Sequence, residues 1–166
     1  PTRRSSDLTP VALLVNAEPA EIDAAVQALP QALLQFHGDE TPAACESPGR
    51  PYLRAARMAS GFDLVDFARQ FSSAQAILLD AHVEGYGGGG KVFDWSLIPV
   101  NVSRPVVLSG GLHAGNVIEG ILQVRPWAVD VSSGVEAAKG IKDAAAIRRF
   151  CEAVREADAR IADSET

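Results

Sequence analysis

The sequence has few cysteines and no excess of positive charge. Its 166 residues include two cysteines, Cys45 and Cys151, which lie far apart and form no Cys-x-x-Cys pair. A disulfide framework or a structural zinc site is therefore not expected. The net charge is −6, and an acidic surface argues against a nucleic-acid partner, which would need a basic face. A small anionic ligand is still allowed, because one local site can be positive on an acidic protein.

Long apolar runs are also missing from the sequence. No run approaches the roughly 20 residues that a helix needs to cross a bilayer. Hydrophobic residues nevertheless make up 47% of the chain, which suits one globular domain with a real core. We therefore expect a cytoplasmic protein with free thiols and no membrane contact.

The first eight residues, 1–8, are polar and share no pattern with the rest of the chain. They resemble the translation, in one reading frame, of a common sequencing adapter. We therefore expect an artefact or a disordered terminus here and exclude the segment from the fold prediction. Residues 9–166 are expected to form a single domain.

Short apolar runs alternate with helical stretches along residues 9–166. The predicted strands are 11–15, 33–36, 52–56, 76–80, 105–109 and 128–131. Helices are predicted from Pro19, from the stretch 38–42, over 62–71, near Asn116 and from the N-cap Asp143. The last helix is predicted to bury one face that carries Ile147, Phe150, Cys151, Val154 and Ile161. About six strand–helix units of this kind are typical of an α/β protein with a parallel sheet.

The ends of the predicted strands distinguish two architectures. A doubly wound open sheet has its site at one switch point, whereas a TIM (β/α)8 barrel has site residues at the carboxyl ends of several strands. Polar or glycine-rich sequence follows several strands, at 35–38, Asp80, 109–111 and 130–134. This pattern favours a TIM barrel, and because barrels have at least roughly 200 residues, we expect only about six of its eight units in this chain.

Two glycine-rich turns follow the last two predicted strands. One contains Gly110 and Gly111, and the other contains Ser132, Ser133 and Gly134. Glycine lets the backbone approach a ligand closely, and free N–H groups at a helix start attract an anion. We predict a phosphate site at these turns, because barrels frequently bind phosphate after strands seven and eight. Two tight turns without a ligand are the alternative.

Asp80 ends a wholly apolar strand, so its carboxyl group is expected to be partly desolvated. Desolvation raises the pKa of a carboxyl group and equips it as a general acid; a turn or capping role is the alternative. The string 85–95 that follows is rich in glycine, including Gly87, Gly88 and Gly90, and it ends in Phe-Asp-Trp. A loop of this kind can close over a substrate, with the aromatic residues as anchors.

Together these strings resemble the phosphoribosylanthranilate isomerase family. The most specific match is Gly-Gly-x-Gly-Lys-x-Phe-Asp-Trp at 87–95. Phe-His-Gly at 36–38, Leu-Ser-Gly-Gly-Leu at 108–112 and Val-Asp-Val-Ser-Ser-Gly-Val-Glu at 129–136 add to it. The resemblance extends from about Val11 to the last helix. It implies a TIM barrel whose first two strand–helix units are missing from this chain.

The resemblance implies a cofactor-free and metal-free Amadori rearrangement in tryptophan biosynthesis, in which an acid protonates the ribose ring oxygen and a base removes the C2 proton. Asp80 matches the family's acid. The family's base is a cysteine in a Lys-Ile-Cys-Gly motif, which has no counterpart here, and neither Cys45 nor Cys151 matches its position. We therefore expect the chain alone to be inactive. The resemblance assigns phosphate binding to Gly110, Gly111, Ser132, Ser133 and Gly134, and substrate contacts to Gln35, His37 and Asp130. For His37, a structural role in the turn before Gly38 is the alternative.

Other functions stay open on sequence grounds. An indole-glycerol-phosphate synthase would need a catalytic lysine where a strand offers Arg54, and a ribulose-phosphate epimerase would need paired histidines, of which only His37 is at a strand end. A non-catalytic phosphate-binding fragment is the alternative from another class. The expected partner is a small sugar phosphate, and the oligomeric state stays open.

Overall fold

The computed structural model describes residues 8–81 and 93–164. Six strands form one sheet in which every neighbouring pair is parallel. They are β1 (Val11–Leu14), β2 (Leu33–Phe36), β3 (Tyr52–Met58), β4 (Ala76–Ala81), β5 (Val106–Leu108) and β6 (Ala128–Val129). Their order in the sheet follows their order in the chain. The predicted strands are confirmed, although β3 is longer and β6 shorter than predicted.

Helices connect these strands at the predicted places. They are α1 (Pro19–Ala28), α2 (Pro42–Glu46), α3 (Leu64–Gln70), α4 (Val117–Val124) and α5 (Ala144–Ser164). The predicted N-cap of α5 is confirmed, because Asp143 Oδ1 accepts a hydrogen bond of 2.7 Å from the backbone N–H of Ala145. Among the described residues, no helix combines the length and the apolar character needed to cross a membrane.

The two faces of the sheet are packed differently. One face lies under helices, and its core combines strand residues such as Leu34 with helix residues such as Leu64. On the other face, the buried cluster within the described ranges consists of strand side chains alone: Leu33, Leu53, Ala55, Ala76, Leu78, Val107 and Ala128. A doubly wound sheet has helices on both faces and a reversal in strand order. The helix-free face and the sequential order therefore indicate part of a barrel, and we call this face the interior face.

A small hairpin between β6 and α5 was not predicted from the sequence. It consists of β7 (Glu136–Ala138) and β8 (Ile141–Lys142), which pair antiparallel. Gly140 lies in its turn with a φ of +78°, a conformation that glycine adopts without steric cost. Strands of two or three residues show too little alternation to be recognised from their sequence.

The buried face of α5 differs from the predicted one. Phe150 is buried as predicted, but the other buried positions are Ala153 and Ala157, whereas Ile147 and Cys151 are exposed. The prediction was therefore wrong at Ile147 and Cys151. Val154 and Ile161 are partly buried and pack against the core, as predicted. Small alanines add little to an apolar pattern, yet they let a helix pack closely, so the buried stripe is centred on Phe150, Ala153 and Ala157.

β1 and β6 stand at the two ends of the strand order. In β1, Val11 and Leu13 pair in register with Leu33 and Gln35 and so point to the interior face. They are 47% and 58% exposed. Along β1, the interior face of the described sheet is therefore open and apolar.

Candidate active site

Polar side chains lie at the carboxyl ends of several strands on the interior face. Side chains alternate between the faces of a sheet, and Leu78 of β4 and Val107 of β5 point to the interior. Two residues further along, Asp80 and Ser109 must point the same way. The same step along the other strands gives the full set: Gln35, Arg57, Asp80, Ser109 and Asp130. The strand period therefore brings together residues that are far apart in sequence.

Asp80 is half-buried at the end of β4, opposite Arg57 in the register with β3. Its Oδ1 accepts a hydrogen bond of 2.9 Å from the backbone N–H of Ala81. Burial raises the pKa of Asp80, and the charge of Asp130 acts in the same direction, while this hydrogen bond and the charges of His37 and Arg57 oppose them. Because burial is the largest effect, Asp80 keeps its proton to a higher pH than an exposed aspartate. This is the property that a general acid needs.

His37 follows β2 and contacts Gln35 on the same face. The His37 Nε2 and Gln35 Oε1 atoms are 2.8 Å apart. With the Gln35 amide oxygen as the acceptor, the imidazole donates from Nε2 in this contact. Burial lowers the pKa of His37, against the opposing charges of Asp80 and Asp130. The neutral imidazole is favoured, and it lies within electrostatic range of both carboxyl groups.

Asp130 is held in place by a residue that was not predicted to belong to the site. The buried Ser109 donates a hydrogen bond from Oγ to Asp130 Oδ2, with the two oxygens 3.0 Å apart. The backbone N–H of Asp130 also donates to the carbonyl of Leu108 at 2.9 Å. The position of Ser109 two residues after an interior valine was the available signal for it.

The first glycine-rich turn lies directly against Asp80. Gly110 and Gly111 have φ values of +78° and +69°. A Cβ atom on Gly110 would be 2.5 Å from the backbone nitrogen of Ala81 and 2.8 Å from Asp80 Oδ1, so only glycine fits. Asn116 holds the turn by donating from Nδ2 to the carbonyl of Gly111 at 3.1 Å. The predicted phosphate turn is thus adjacent to the predicted acid.

The second turn lies against the first. A Cβ atom on Gly134 would be 1.8 Å from the carbonyl oxygen of Leu112, which follows the first turn in the chain. Ser132 and Ser133 remain exposed, and Ser133–Val135 forms a short 3₁₀ helix. The two turns predicted to bind phosphate are therefore neighbours in space, and the serines of the second are accessible.

Comparison with known proteins decides the family of this chain. The sequence model of the N-(5'-phosphoribosyl)anthranilate (PRA) isomerase family matches residues 2–153. The chain belongs to this family. It is 74% identical over 158 residues to the N-(5'-phosphoribosyl)anthranilate isomerase of Methylibium petroleiphilum, covering 95% of this chain and 74% of that relative. It is 71% identical to the enzyme of Leptothrix cholodnii, covering 96% of this chain and 72% of that relative.

Solved structures of PRA isomerases also share the fold. The phosphoribosyl anthranilate isomerase of Thermotoga maritima aligns with a TM-score of 0.78 and 37% identity, covering 88% of this chain and 72% of that chain. A second structure, in complex with reduced 1-(o-carboxyphenylamino)-1-deoxyribulose 5-phosphate, aligns with a TM-score of 0.75 and 34% identity, covering 90% and 75%. The predicted TIM-barrel architecture is confirmed for this member of the PRA isomerase family.

The motif at 87–95 is the most specific match to the PRA isomerase family, and the structure describes only its residues 93–95. Gly87, Gly88 and Gly90 lie outside the described residues, so their loop role stays a prediction. Phe93 packs against both helix-side clusters, and Trp95 is buried in one of them. The predicted packing of these two aromatic residues against the body is confirmed.

Arg54 was not predicted as a site residue, yet this buried arginine holds the backbone on both sides of His37 in this member of the PRA isomerase family. Arg54 is 4% exposed. Its Nη1 and Nη2 atoms donate to the carbonyls of Phe36 and Gly38, each at 3.0 Å, and these two residues flank His37. Nη1 also pairs with Glu40 Oε2 at 3.2 Å. The signal in the sequence was a charged residue within an otherwise apolar strand.

Arg57 is the second residue missed on β3. It lies at the strand end beside Asp80, and its Nη2 atom donates to the carbonyl of His37 at 2.8 Å. Its Nη1 atom is 3.4 Å from Asp39 Oδ1. Arg57 therefore brings a positive charge to the interior face of the site and supports the backbone of His37 as well.

Neither cysteine lies among the residues of this site. Cys45 is buried under the helix-side face, where burial raises the pKa of its thiol to about 11, and Cys151 is exposed on α5. Both are free. Within residues 8–81 and 93–164, no three His, Cys, Asp or Glu side chains are grouped so that they could hold a metal ion.

Proposed function

We propose that this chain acts in the isomerisation of N-(5'-phosphoribosyl)anthranilate, with Asp80 as the general acid. The observation that carries the proposal is the half-buried Asp80 carboxyl group on the polar interior face, whose pKa burial raises. The family match and two relatives named for this isomerase support the substrate. A structure of the family in complex with a deoxyribulose 5-phosphate compound supports a sugar phosphate as ligand.

The proposed reaction begins when Asp80 gives its proton to the ribose ring oxygen. The bond from C1 to that oxygen breaks, its electron pair goes to the oxygen, and the substrate nitrogen forms a double bond to C1. A base then removes the proton from C2, and the resulting enolamine becomes the ketone when C1 takes up a proton and the hydroxyl group on C2 loses its own. The aminoaldose and the aminoketose are isomers, so the reaction needs no oxidant or reductant, and the absence of a cofactor stays a prediction.

The remaining site residues are proposed as substrate contacts. The two adjacent turns with Gly110 and Gly134 support a phosphate position close to Asp80, because glycine turns allow a close approach of backbone N–H groups to an anion. Gln35, His37 and Asp130 share the interior face with the acid and are proposed to bind the sugar or the anthranilate group. Phosphate binding is proposed for Gly110, Gly111, Ser132, Ser133 and Gly134.

The base is proposed to come from a segment with the family's Lys-Ile-Cys-Gly motif, which these 166 residues do not contain. Cys45 is a poor candidate, because its thiol is buried on the helix side with a pKa of about 11. Cys151 lies on the exposed surface of α5. A cytoplasmic location and the absence of nucleic-acid and membrane partners also stay predictions.

The test is an isomerisation assay on this chain mixed with a fragment of a relative that carries the motif and the first two strand–helix units. Loss of substrate fluorescence measures turnover, and circular dichroism controls for folding. We expect activity in the mixture only, and Asp80→Asn should lower kcat by about 100-fold or more, as for the loss of a general acid. Asp23→Asn, an exposed aspartate on α1, is the matched control and should leave kcat unchanged.

Two other results would change the proposal. A folded mixture that binds the substrate without turning it over would favour the non-catalytic phosphate-binding alternative. A folded mixture without any binding would contradict the substrate and leave only the barrel.

A further inference from the structure

The Lys142 ammonium group makes its contacts within the second glycine-rich turn and the hairpin beside it. Its Nζ atom is 2.8 Å from the carbonyl oxygen of Ser132 and 3.1 Å from the Ser132 hydroxyl oxygen. A third contact joins Nζ to Glu136 Oε1 at 2.7 Å. An ammonium group has three hydrogens to donate, and these three acceptors use them.

The contact with Lys142 determines whether the Ser132 hydroxyl group donates or accepts a further hydrogen bond. A hydroxyl group has one hydrogen and two lone pairs. Because Lys142 has no acceptor, the Ser132 oxygen must accept in this contact, and its own hydrogen remains available to donate. Lys142 thereby directs the Ser132 hydroxyl to act as a donor, which is the role that an anionic oxygen requires.

The contact with the Ser132 carbonyl orients the next backbone N–H group. In a planar trans peptide the C=O and N–H bonds point in opposite directions, and the described residues contain no cis peptide bond. The Ser132 carbonyl accepts from Lys142 at 2.8 Å and, at the longer distance of 3.4 Å, from the backbone N–H of Val135. With the carbonyl held by these contacts, the N–H of Ser133 points away from the ammonium group. A trans peptide whose carbonyl is fixed in this way presents a preoriented N–H group to an anion.

Glu136 limits the electrostatic attraction that Lys142 itself can exert on a phosphate group. The hydrogen bond from Lys142 lowers the pKa of Glu136, so the glutamate stays ionised at neutral pH. The ion pair is neutral as a whole, and the Lys142 side chain is 44% exposed. A neutral and partly exposed pair adds little attraction for a distant anion. Orientation of Ser132 and Ser133 is therefore the larger effect.

We propose that Lys142 is a positioning residue for phosphate, which holds the Ser132 hydroxyl and the Ser133 N–H group in the orientation that binds the anion. This inference rests on the proposed function, because it assumes that the two turns bind the substrate phosphate. In this proposal the hairpin β7–β8, which has no other assigned role, places Lys142 beside the turn.

The experiment measures the binding of inorganic phosphate to the full 166-residue chain by titration calorimetry. Lys142→Met keeps most of the side-chain length and removes the donors, and we expect it to weaken phosphate binding about tenfold. Lys139→Met, on the same exposed hairpin, is the matched control and should change binding less than twofold. Circular dichroism and thermal unfolding check that each variant is folded. If Lys142→Met does not fold, Lys142→Gln, which keeps an N–H donor, serves in the same comparison and should bind with intermediate affinity.

A double-mutant cycle with Ser132→Ala separates positioning from charge. If Lys142 acts through Ser132, its replacement should weaken binding by only about threefold once the hydroxyl is gone. An unchanged tenfold effect in the Ser132→Ala background would overturn the positioning of the hydroxyl group by Lys142. Equal binding by the wild type and Lys142→Met would overturn this inference alone. A folded wild type that does not bind phosphate would overturn the proposed phosphate site, and the positioning role with it.

Discussion

Among single residues, Asp80 and His37 show how burial changes ionisable groups of opposite kind. Burial raises the pKa of Asp80 and lowers the pKa of His37. Both shifts favour the uncharged form, because a charge loses solvation in the protein interior. Compared with exposed groups, the site therefore combines a carboxyl group that keeps its proton to a higher pH with an imidazole that stays neutral to a lower pH. This pair suits proton transfer to a sugar oxygen better than two charged groups would.

The charge of Arg57 should influence the pH dependence of the reaction. As a general acid, Asp80 must be protonated, so activity falls as the pH rises through its pKa. Arg57 lowers that pKa, so Arg57→Met should move the alkaline fall of kcat/KM to higher pH. The measurement is a pH profile of the complemented enzyme. Arg69→Met, an exposed arginine on α3, is the control, and an unmoved alkaline limb in Arg57→Met would contradict the assignment of the acid.

The two thiols should differ in reactivity. Cys45 is fully buried with a pKa of about 11, whereas Cys151 is exposed. The thiolate is the reactive form, so iodoacetamide at pH 7.5 should label Cys151 in the folded chain and leave Cys45 unmodified. Mass spectrometry of tryptic peptides measures this, and denatured protein should show both labels. Fast labelling of Cys45 in the folded chain would mean that the thiol is not buried as described.

At the scale of the elements, α4 packs very closely on β5 and on the short 3₁₀ helix at Trp95. The contact is possible because Gly120 faces it: a Cβ atom there would be 2.9 Å from Leu108 Cδ2 and 3.0 Å from the Trp95 ring. Trp95 is the last residue of the glycine-rich string 85–95. The lack of a side chain at Gly120 therefore helps to position the end of that string.

Gly120→Ala should destabilise the protein despite the better helix propensity of alanine. The replacement gains up to about 1 kcal/mol in helix propensity, but overpacking of a close contact costs about 1–3 kcal/mol. We expect a net loss on the order of 1 kcal/mol in the free energy of unfolding, measured by urea denaturation. Gln123→Ala, at an exposed position of the same helix, should be neutral or slightly stabilising. A clear gain in stability for Gly120→Ala would show that the contact is loose.

At the scale of the whole molecule, the open interior face along β1 should make the chain self-associate. Val11 and Leu13 are exposed there, and an exposed apolar edge strand promotes pairing between copies. Sedimentation velocity should show association that increases with protein concentration. Leu13→Lys should reduce it. Leu97→Lys replaces a leucine of comparable exposure away from the sheet edge, 48% against 58%, and should have a much smaller effect. A monomer at all concentrations would contradict the prediction.

The strands and helices were predictable from the sequence, because they depend on local periodicity and on caps such as Asp143. The glycine turns and Asp80 were predictable as well, since strand ends can be recognised in the chain. Arg54, Arg57 and Ser109 were not predicted as part of the site. Their contacts are with residues 14 to 21 positions away in the sequence, and no local pattern shows which carbonyl or carboxylate an arginine or serine will meet.

The sequence by itself determined the alternation of strands and helices, the glycine motifs and the family resemblance, because each of these depends on residues that are neighbours in the chain. Only the tertiary structure decided between an open sheet and a barrel, through a strand order without reversal and a face on which the described residues place no helix. It also decided which side chains share a site. The strand period of two and the register of β3 with β4 bring Asp80 beside Arg57. Burial in that place, which cannot be read from any stretch of sequence, raises the pKa of Asp80.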